Sequence, residues 1–185
     1  MEGYRININY AKALFLVAQE TGQLDAVCDD MRLVNRVCSE NHLLVTVFAN
    51  PIIPEGKKVA IVKDLFEDKV SKVSMLFLSF VVRKRRSVNL KGISNAFIEI
   101  YRKEKGIVLS HFVTATEPDE STKRVVEKVV GDHTHKSVEL LSIVDPSIIG
   151  GFGVVFDGYM YDARLSAQIT KLRNEFSKNV YESKL

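Results

Sequence analysis

"DPSIIGGFGVVFDGYMYD", residues 145–162, sets three glycines, Gly150, Gly151 and Gly153, beside a run of valines. A phosphate-cradling loop needs its glycines after a strand and opening a helix, with Lys-Ser/Thr or a second spaced glycine. Here the glycines come before a strand. "VVF" and "YMY" flank Asp157-Gly158, a two-residue hairpin loop whose positive-φ positions favour Asp-Gly. No lysine lies between Lys136 and Lys171. The glycines are therefore expected to shape a turn and a bulge or tight bend leading into a hairpin. A phosphate-handling enzyme is set aside on that order.

The same period-2 pattern continues upstream. "IVLSHFVTA" (107–115) and "SVELLSIVD" (137–145) alternate as strands, and "TEPDESTKRVVEKVVG" between them reads as a capped helix ending at Gly131. After the hairpin, Asp162 caps a last helix with the stripe Leu165, Ile169, Leu172 and Phe176. Residues 106–185 thus form a small α/β unit, barely enough for an independent core, expected to be mobile or completed by a partner.

Residues 1–105 read with period 3.6 instead. The first helix places Tyr10, Ala13, Leu14, Val17 and Ala18 on one stripe, widened by Ala11 and Phe15, and stops at Gly22. The second, about 24–39, aligns Leu24, Val27, Cys28, Met31, Val34 and Cys38. Asn41 is the expected cap of a short third helix. "NPIIPEG" breaks the chain, and Pro54 starts a fourth helix that buries Val59, Val62, Leu65 and Phe66. The fifth, about 70–84, contains "VSMLFLSFVV" and is apolar around most of its circumference. The sixth, about 88–104, carries Leu90, Ile93, Phe97, Ile100 and Tyr101 and ends at Gly106. The expected fold class is α+β: an N-terminal six-helix bundle, then a small C-terminal α/β domain with a β-hairpin and a terminal helix.

Composition agrees with a globular protein: 46% hydrophobic and 26% charged residues. The longest apolar run, Met75–Val82, falls far short of the ~20 residues that span a bilayer. No secretory or transit pattern opens the chain, so a bacterial cytoplasmic setting is the simplest expectation. Residues 1–105 carry 17 Lys/Arg against 12 Asp/Glu, and residues 106–185 carry 9 against 11, so the net charge of +3 divides as +5 and −2. That sign change suggests two units with different partners. Cys28 and Cys38 on one helix lie ~15 Å apart, too far for a disulfide.

Catalytic constellations are missing from the sequence. His133 and His135 lack a third ligand at metal spacing and read as a polar loop; His42 and His111 stand alone as capping or surface residues. Asp29-Asp30 and Glu67-Asp68 are adjacent on helices, diverge by about 100°, and read as solvated surface. No active site, cofactor or metal is expected. "RKRR" (83–86) reads as a helix end complementing the dipole rather than a nucleic-acid patch, because no aromatic residues interleave with it. A basic helical adaptor that binds nucleic acid stays as the alternative reading.

Surplus apolar surface remains on the first and fifth helices. Either both are central helices, or Tyr10, Ala13, Leu14 and Val17 line a groove with Phe77, Phe80 and Val81 that receives an amphipathic partner helix.

Four blocks, in order and correctly spaced, carry a resemblance over nearly the whole chain: "YAKALFLVA", "NPIIPEGKK", "LSFVVRKRRSVNLKGISNAFIEIY" and "DPSIIGGFGVVFDGYMYDARLSAQITKLR". Together they resemble the delta subunit of F-type ATP synthases, the family of the mitochondrial oligomycin-sensitivity-conferring protein. The resemblance implies a non-catalytic stator subunit, one copy per hetero-oligomeric complex, at the cytoplasmic face of the bacterial cell membrane without inserting into it. It implies a bundle (1–105) that grips the N-terminal helix of an alpha subunit between its first and fifth helices. It implies a second domain (106–185) that holds the C-terminal end of the b subunit. Tyr10, Ala13, Phe77 and Phe80 would be the alpha contacts, and Gly150, Gly151, Asp157 and Gly158 structural residues. Ser166 and Gln168 stand where many relatives carry arginines, and Val155 where a basic residue is frequent.

Overall fold

The computed structural model describes residues 2–177 of the 185-residue chain. Its helices are α1 (Glu2–Glu20), α2 (Leu24–Glu40), α3 (His42–Ala49), α4 (Glu55–Phe66), α5 (Lys72–Arg83), α6 (Leu90–Lys105), α7 (Glu120–Thr134) and α8 (Leu165–Ser177). The strands are β1 (Ile107–Thr114), β2 (Ser137–Val144), β3 (Phe152–Phe156) and β4 (Tyr159–Asp162), and short 3-10 turns occupy Ser87–Asn89 and Pro146–Ile148. The fold is mixed helix and sheet. The chain divides between Glu104 and Lys105 into two compact units.

The first unit is helical, and one core runs through it. On α1 the buried residues are Ala11, Leu14, Phe15 and Ala18, at i, i+3, i+4 and i+7. Tyr10 is half-buried and Ala13 and Val17 are exposed, so the core stripe lies beside the expected one, and α1 starts well before Tyr10. Small Ala11 and Ala18 let neighbouring helices approach, which turns this face inward. On α2, Val27, Cys28, Met31, Val34 and Cys38 are buried at the expected spacing, and neither cysteine is in a disulfide. Burial pushes the Cys38 thiol upward, with Lys91 opposing. α4 buries Val62 and Phe66, with Val59 and Leu65 half-buried at the core's margin.

Buried polar residues, which the apolar periodicities do not reveal, tie these helices together. Asp30 is buried, not solvated: its Oδ2 accepts from the Ser71 backbone N–H at 3.0 Å and the Ser71 hydroxyl at 2.7 Å. Ser71 in turn caps α5 by accepting from the Ser74 N–H. Lys58, 4% exposed, donates to the Phe48 carbonyl at 2.9 Å, and the Ser87 hydroxyl donates to the same oxygen at 2.9 Å. Both satisfy the carboxyl end of α3, whose last carbonyls have no intrahelical donor. Asn41 holds the N-cap position of α3, as expected, but its side chain makes no capping bond there. Its Nδ2 donates backward to the Val37 carbonyl at 3.0 Å and closes α2 instead.

The basic run does end a helix. Arg85 adopts φ 59°, the Arg85 N–H reaches Val82 O at 2.9 Å and the Arg86 N–H reaches Val81 O at 3.1 Å. Those two bonds form a Schellman closure with an arginine at the left-handed position usually given to glycine.

In the second unit the strand order is β2-β1-β3-β4. β1 and β2 are parallel, which requires a crossover, and α7 supplies it. β3 runs antiparallel to both β1 and β4. β1 alternates half-buried and buried residues, and Phe112 packs with Val126 and Val130 of α7 and Val154 of β3. Helix α7 does not end at Gly131. It continues to Thr134, and His135 in the left-handed region (φ 53°) closes it, its N–H bonding to Gly131 O at 2.7 Å.

The stretch 145–162 is a turn followed by a hairpin. Asp157 (φ 44°) and Gly158 (φ 83°) both take positive φ, as a two-residue hairpin loop demands. Pairing on both sides of β3 is regular, so the expected bulge is absent and the tight bend remains. Gly151 makes that bend at φ 75°, and a Cβ there would lie 2.2 Å from the Ala163 carbonyl oxygen. Gly150 sits against Leu165, whose N–H donates to Gly150 O at 2.9 Å. Asp162 is not the cap of α8. Its carboxylate accepts from the Arg164 N–H at 3.1 Å and from the guanidinium at 2.8 and 2.7 Å. Those bonds hold its carboxyl at about 2.

Candidate partner-binding groove

Helix α5 is apolar nearly all round because it carries two apolar faces. Leu78, Val81 and Val82, with Ser74, turn into the core at i, i+4, i+7 and i+8. Val73, Leu76, Phe77 and Phe80, at i, i+3, i+4 and i+7, form the other face, and there Leu76 is 74% and Phe80 48% exposed. Helix α1 is built alike: beside its core stripe, Tyr10, Ala13 and Val17 look outward, with Leu14 between the two faces.

The two outward faces meet. Asn9, Tyr10, Ala13, Leu14 and Val17 of α1, with Val73, Leu76, Phe77 and Phe80 of α5, line a surface trough of about 610 Å³. The Tyr10 and Phe80 rings lie 6.3 Å apart, and Lys84 holds its ammonium 5.6 Å from the centre of the Phe80 ring. An open apolar trough between two helices is the shape that receives the apolar stripe of a third.

Six of the seven groove residues named from sequence line this trough. Val81 does not: it is fully buried in the core, one helical step from Phe80, and the correction follows from which α5 face turns inward. Leu14, 2% exposed, forms the floor rather than a wall. Asn9, Val73 and Leu76 were missed. Val73 and Leu76 were legible, since they continue the Phe77–Phe80 stripe at helical spacing.

The second unit has a cleft of its own, of about 490 Å³. Val125 and Val129 of α7 line one side, and Phe152, Tyr159, Met160 and Tyr161 of the hairpin line the other. His133 does not lie in a polar loop. It belongs to the last turn of α7 and packs edge-on against Phe156 and Tyr159, at centroid distances of 5.8 and 5.6 Å. Among the described residues no three His, Cys, Asp or Glu side chains gather as a metal site, and no helix is long and apolar enough to cross a membrane.

The ATP synthase delta (OSCP) subunit family model matches residues 6–176. An ATP synthase subunit delta from Cytophaga hutchinsonii is 36% identical over 180 residues, covering 97% of this chain and 98% of the relative. The subunit delta of Desulforamulus reducens is 33% identical over 165 residues, 89% of this chain and 91% of the relative. In fold, the chain resembles one in the Toxoplasma gondii mitochondrial ATP synthase hexamer, with a TM-score of 0.71 at 20% identity, covering 92% of this chain and 97% of that one. These matches give no support to the nucleic-acid reading, and the basic run 83–86 is accounted for as the closure of α5. The chain belongs to the ATP synthase delta (OSCP) subunit family, and its role is that of a stator subunit of the complex.

Proposed function

We propose that the α1–α5 trough is the seat of the alpha subunit's N-terminal helix on the catalytic head, and that the second unit holds the C-terminal end of the b subunit. On this reading the helices of the first unit make up the family's six-helix bundle. The protein performs no bond chemistry and acts as a clamp, one copy per complex, at the cytoplasmic face of a bacterial membrane. Rotation of the central shaft drags the catalytic head with it, and the clamp passes that torque to the peripheral stalk. Such a part needs well-packed bodies joined to their partners through apolar seats, since close-packed interiors transmit strain.

The observation that carries this reading is the second apolar face of α5, where Leu76 and Phe80 stay exposed beside an already complete core stripe. A monomer without a partner gains nothing from that exposure. The test is calorimetric titration of the full chain with a peptide of the cognate alpha subunit's N-terminal helix. Phe80→Asp should abolish binding, because docking would bury an unpaired carboxylate. Unchanged affinity in that variant would rule the trough out. Co-purification from membranes, followed by Val125→Asp in the second unit, tests the b contact: loss of b with alpha retained is expected.

A further inference from the structure

We infer that the basic turn 83–86 is an electrostatic end-stop of the trough, selecting a docking helix that carries carboxylates at the end lying over Phe80. This deepens the reading of the trough as a helix seat and depends on it. The two ends of α5 differ in charge. Its start, at Lys72, follows Glu67, Asp68 and Lys69, of mixed sign, whereas its end runs Arg83, Lys84, Arg85 and Arg86. The Schellman closure fixes this turn on the carboxyl end of the helix that forms one trough wall.

Lys84 is the member of the turn placed at the trough, its ammonium over the Phe80 ring at 5.6 Å. Arg83 and Arg86 are exposed beside it. Arg85 is engaged by Glu55, at 3.8 Å. A carboxylate arriving over Phe80 therefore meets a cation already poised there, next to apolar walls that exclude water and strengthen the attraction. The +5 charge of residues 1–105 works in the same direction. The occupant fitted by this arrangement is an amphipathic partner helix with one acidic end, and the turn gives an otherwise featureless apolar trough a polarity. Rim charges of this kind govern association rate and selectivity more than the depth of binding.

The experiment uses the full chain and three fluorescently labelled synthetic helical peptides with one shared apolar stripe. One carries two glutamates at its N-terminal end, one carries them at its C-terminal end, and one carries lysines at both. At low salt one glutamate peptide should bind roughly tenfold tighter than the other, which has the same net charge, and tighter still than the lysine peptide, the scale two exposed ion pairs reach. In about 1 M salt, where the screening length is ~3 Å, the advantage should collapse. The Lys84→Glu/Arg86→Glu variant should lose it at any salt, with an unchanged circular dichroism spectrum and unchanged affinity in high salt. Equal affinities for the two glutamate peptides, or an advantage that survives charge reversal, overturns the end-stop while leaving the trough intact. Failure of all three peptides to bind overturns the trough reading itself.

Discussion

In the first unit Phe66, Phe97, Leu14, Met31, Leu78 and Ile93 are each at most 2% exposed, and they belong to one core spanning several helices. In the second unit the core around Phe112 adds Val126, Val130 and Val154, with Val138, Leu140 and Phe156 half-buried at its margin. Meanwhile Val125, Val129, Met160 and Tyr161 lie 60–62% exposed, and the α8 stripe of Leu165, Ile169, Leu172 and Phe176 lies 44–85% exposed. The first unit has a large continuous core, and the exposed Val17, Leu76 and Phe80 gather in one trough while Leu16, Leu43, Ile52 and Val88 are exposed outside it. The second has a small core and leaves much apolar surface uncovered, and a partner that covered that surface would add stability by mass action.

The sharpest way to break this contrast is a matched pair of core truncations. Phe112→Ala and Phe97→Ala each remove a ring that is at most 1% exposed, at a cost of about 3–5 kcal/mol. That is roughly the whole stability of a domain as small as the second unit. We expect Phe112→Ala to strip amide-exchange protection from β1, β3 and α7 while α2 and α6 keep theirs. Phe97→Ala should lower the melting temperature of the first unit and leave it folded. A single shared transition in the Phe112 variant would break the contrast.

A finer comparison lies within the hairpin region. Gly151→Ala must accommodate both φ 75° and a Cβ 2.2 Å from the Ala163 carbonyl, whereas Gly158→Ala, at φ 83°, meets no atom within 4 Å. The first should cost about 2–3 kcal/mol and loosen the start of α8; the second should cost about 1 kcal/mol. Urea unfolding followed on the second unit ranks them, and the reverse order would remove the close approach at Gly151 as the cause.

The smallest expected effect is on pH dependence, and the units should respond at opposite extremes. Asp162 has its carboxyl lowered from 3.8 to about 2, chiefly by hydrogen bonds from Arg164. A depressed acid stabilises the folded state above its unfolded value, so this contribution is full above pH ~4 and fades as pH falls towards 2. Tyr101 in the first unit is raised from 10.0 to about 12, first through its hydrogen bond to Asp25 at 2.8 Å. Its contribution is full below pH ~10 and is lost as pH climbs through 12. Protection factors at the start of α8, taken against the intrinsic exchange rate at each pH, should fall on acidification, and Asp162→Asn should flatten that response. Phenolate absorbance at alkaline pH should show Tyr101 titrating late, an effect that Asp25→Asn should reverse.

Periodicity made the elements legible. The strand at 107–115 is β1 at Ile107–Thr114, and Asp157-Gly158 forms its loop because few other dipeptides tolerate two positive φ values. Helix ends were harder to read. Gly131 sits inside α7 and Asn41 closes the helix before it, because a cap is decided by which backbone groups fall within reach. Buried polar ties such as Asp30–Ser71, 41 residues apart, leave no local pattern. At the trough, residue type and spacing marked Tyr10, Ala13, Phe77 and Phe80, but nothing in the pattern distinguished Phe80 from Val81.

By itself the sequence determined that a helical first part precedes a sheet, that the glycines at 150–153 prepare a hairpin, and that the first and fifth helices carry more apolar surface than one stripe requires. Tertiary structure alone decided which apolar face became core and which stayed open. Hydrophobic burial is non-directional: an apolar stripe states that a face will be covered, and only the neighbouring helices decide whether this chain or another covers it.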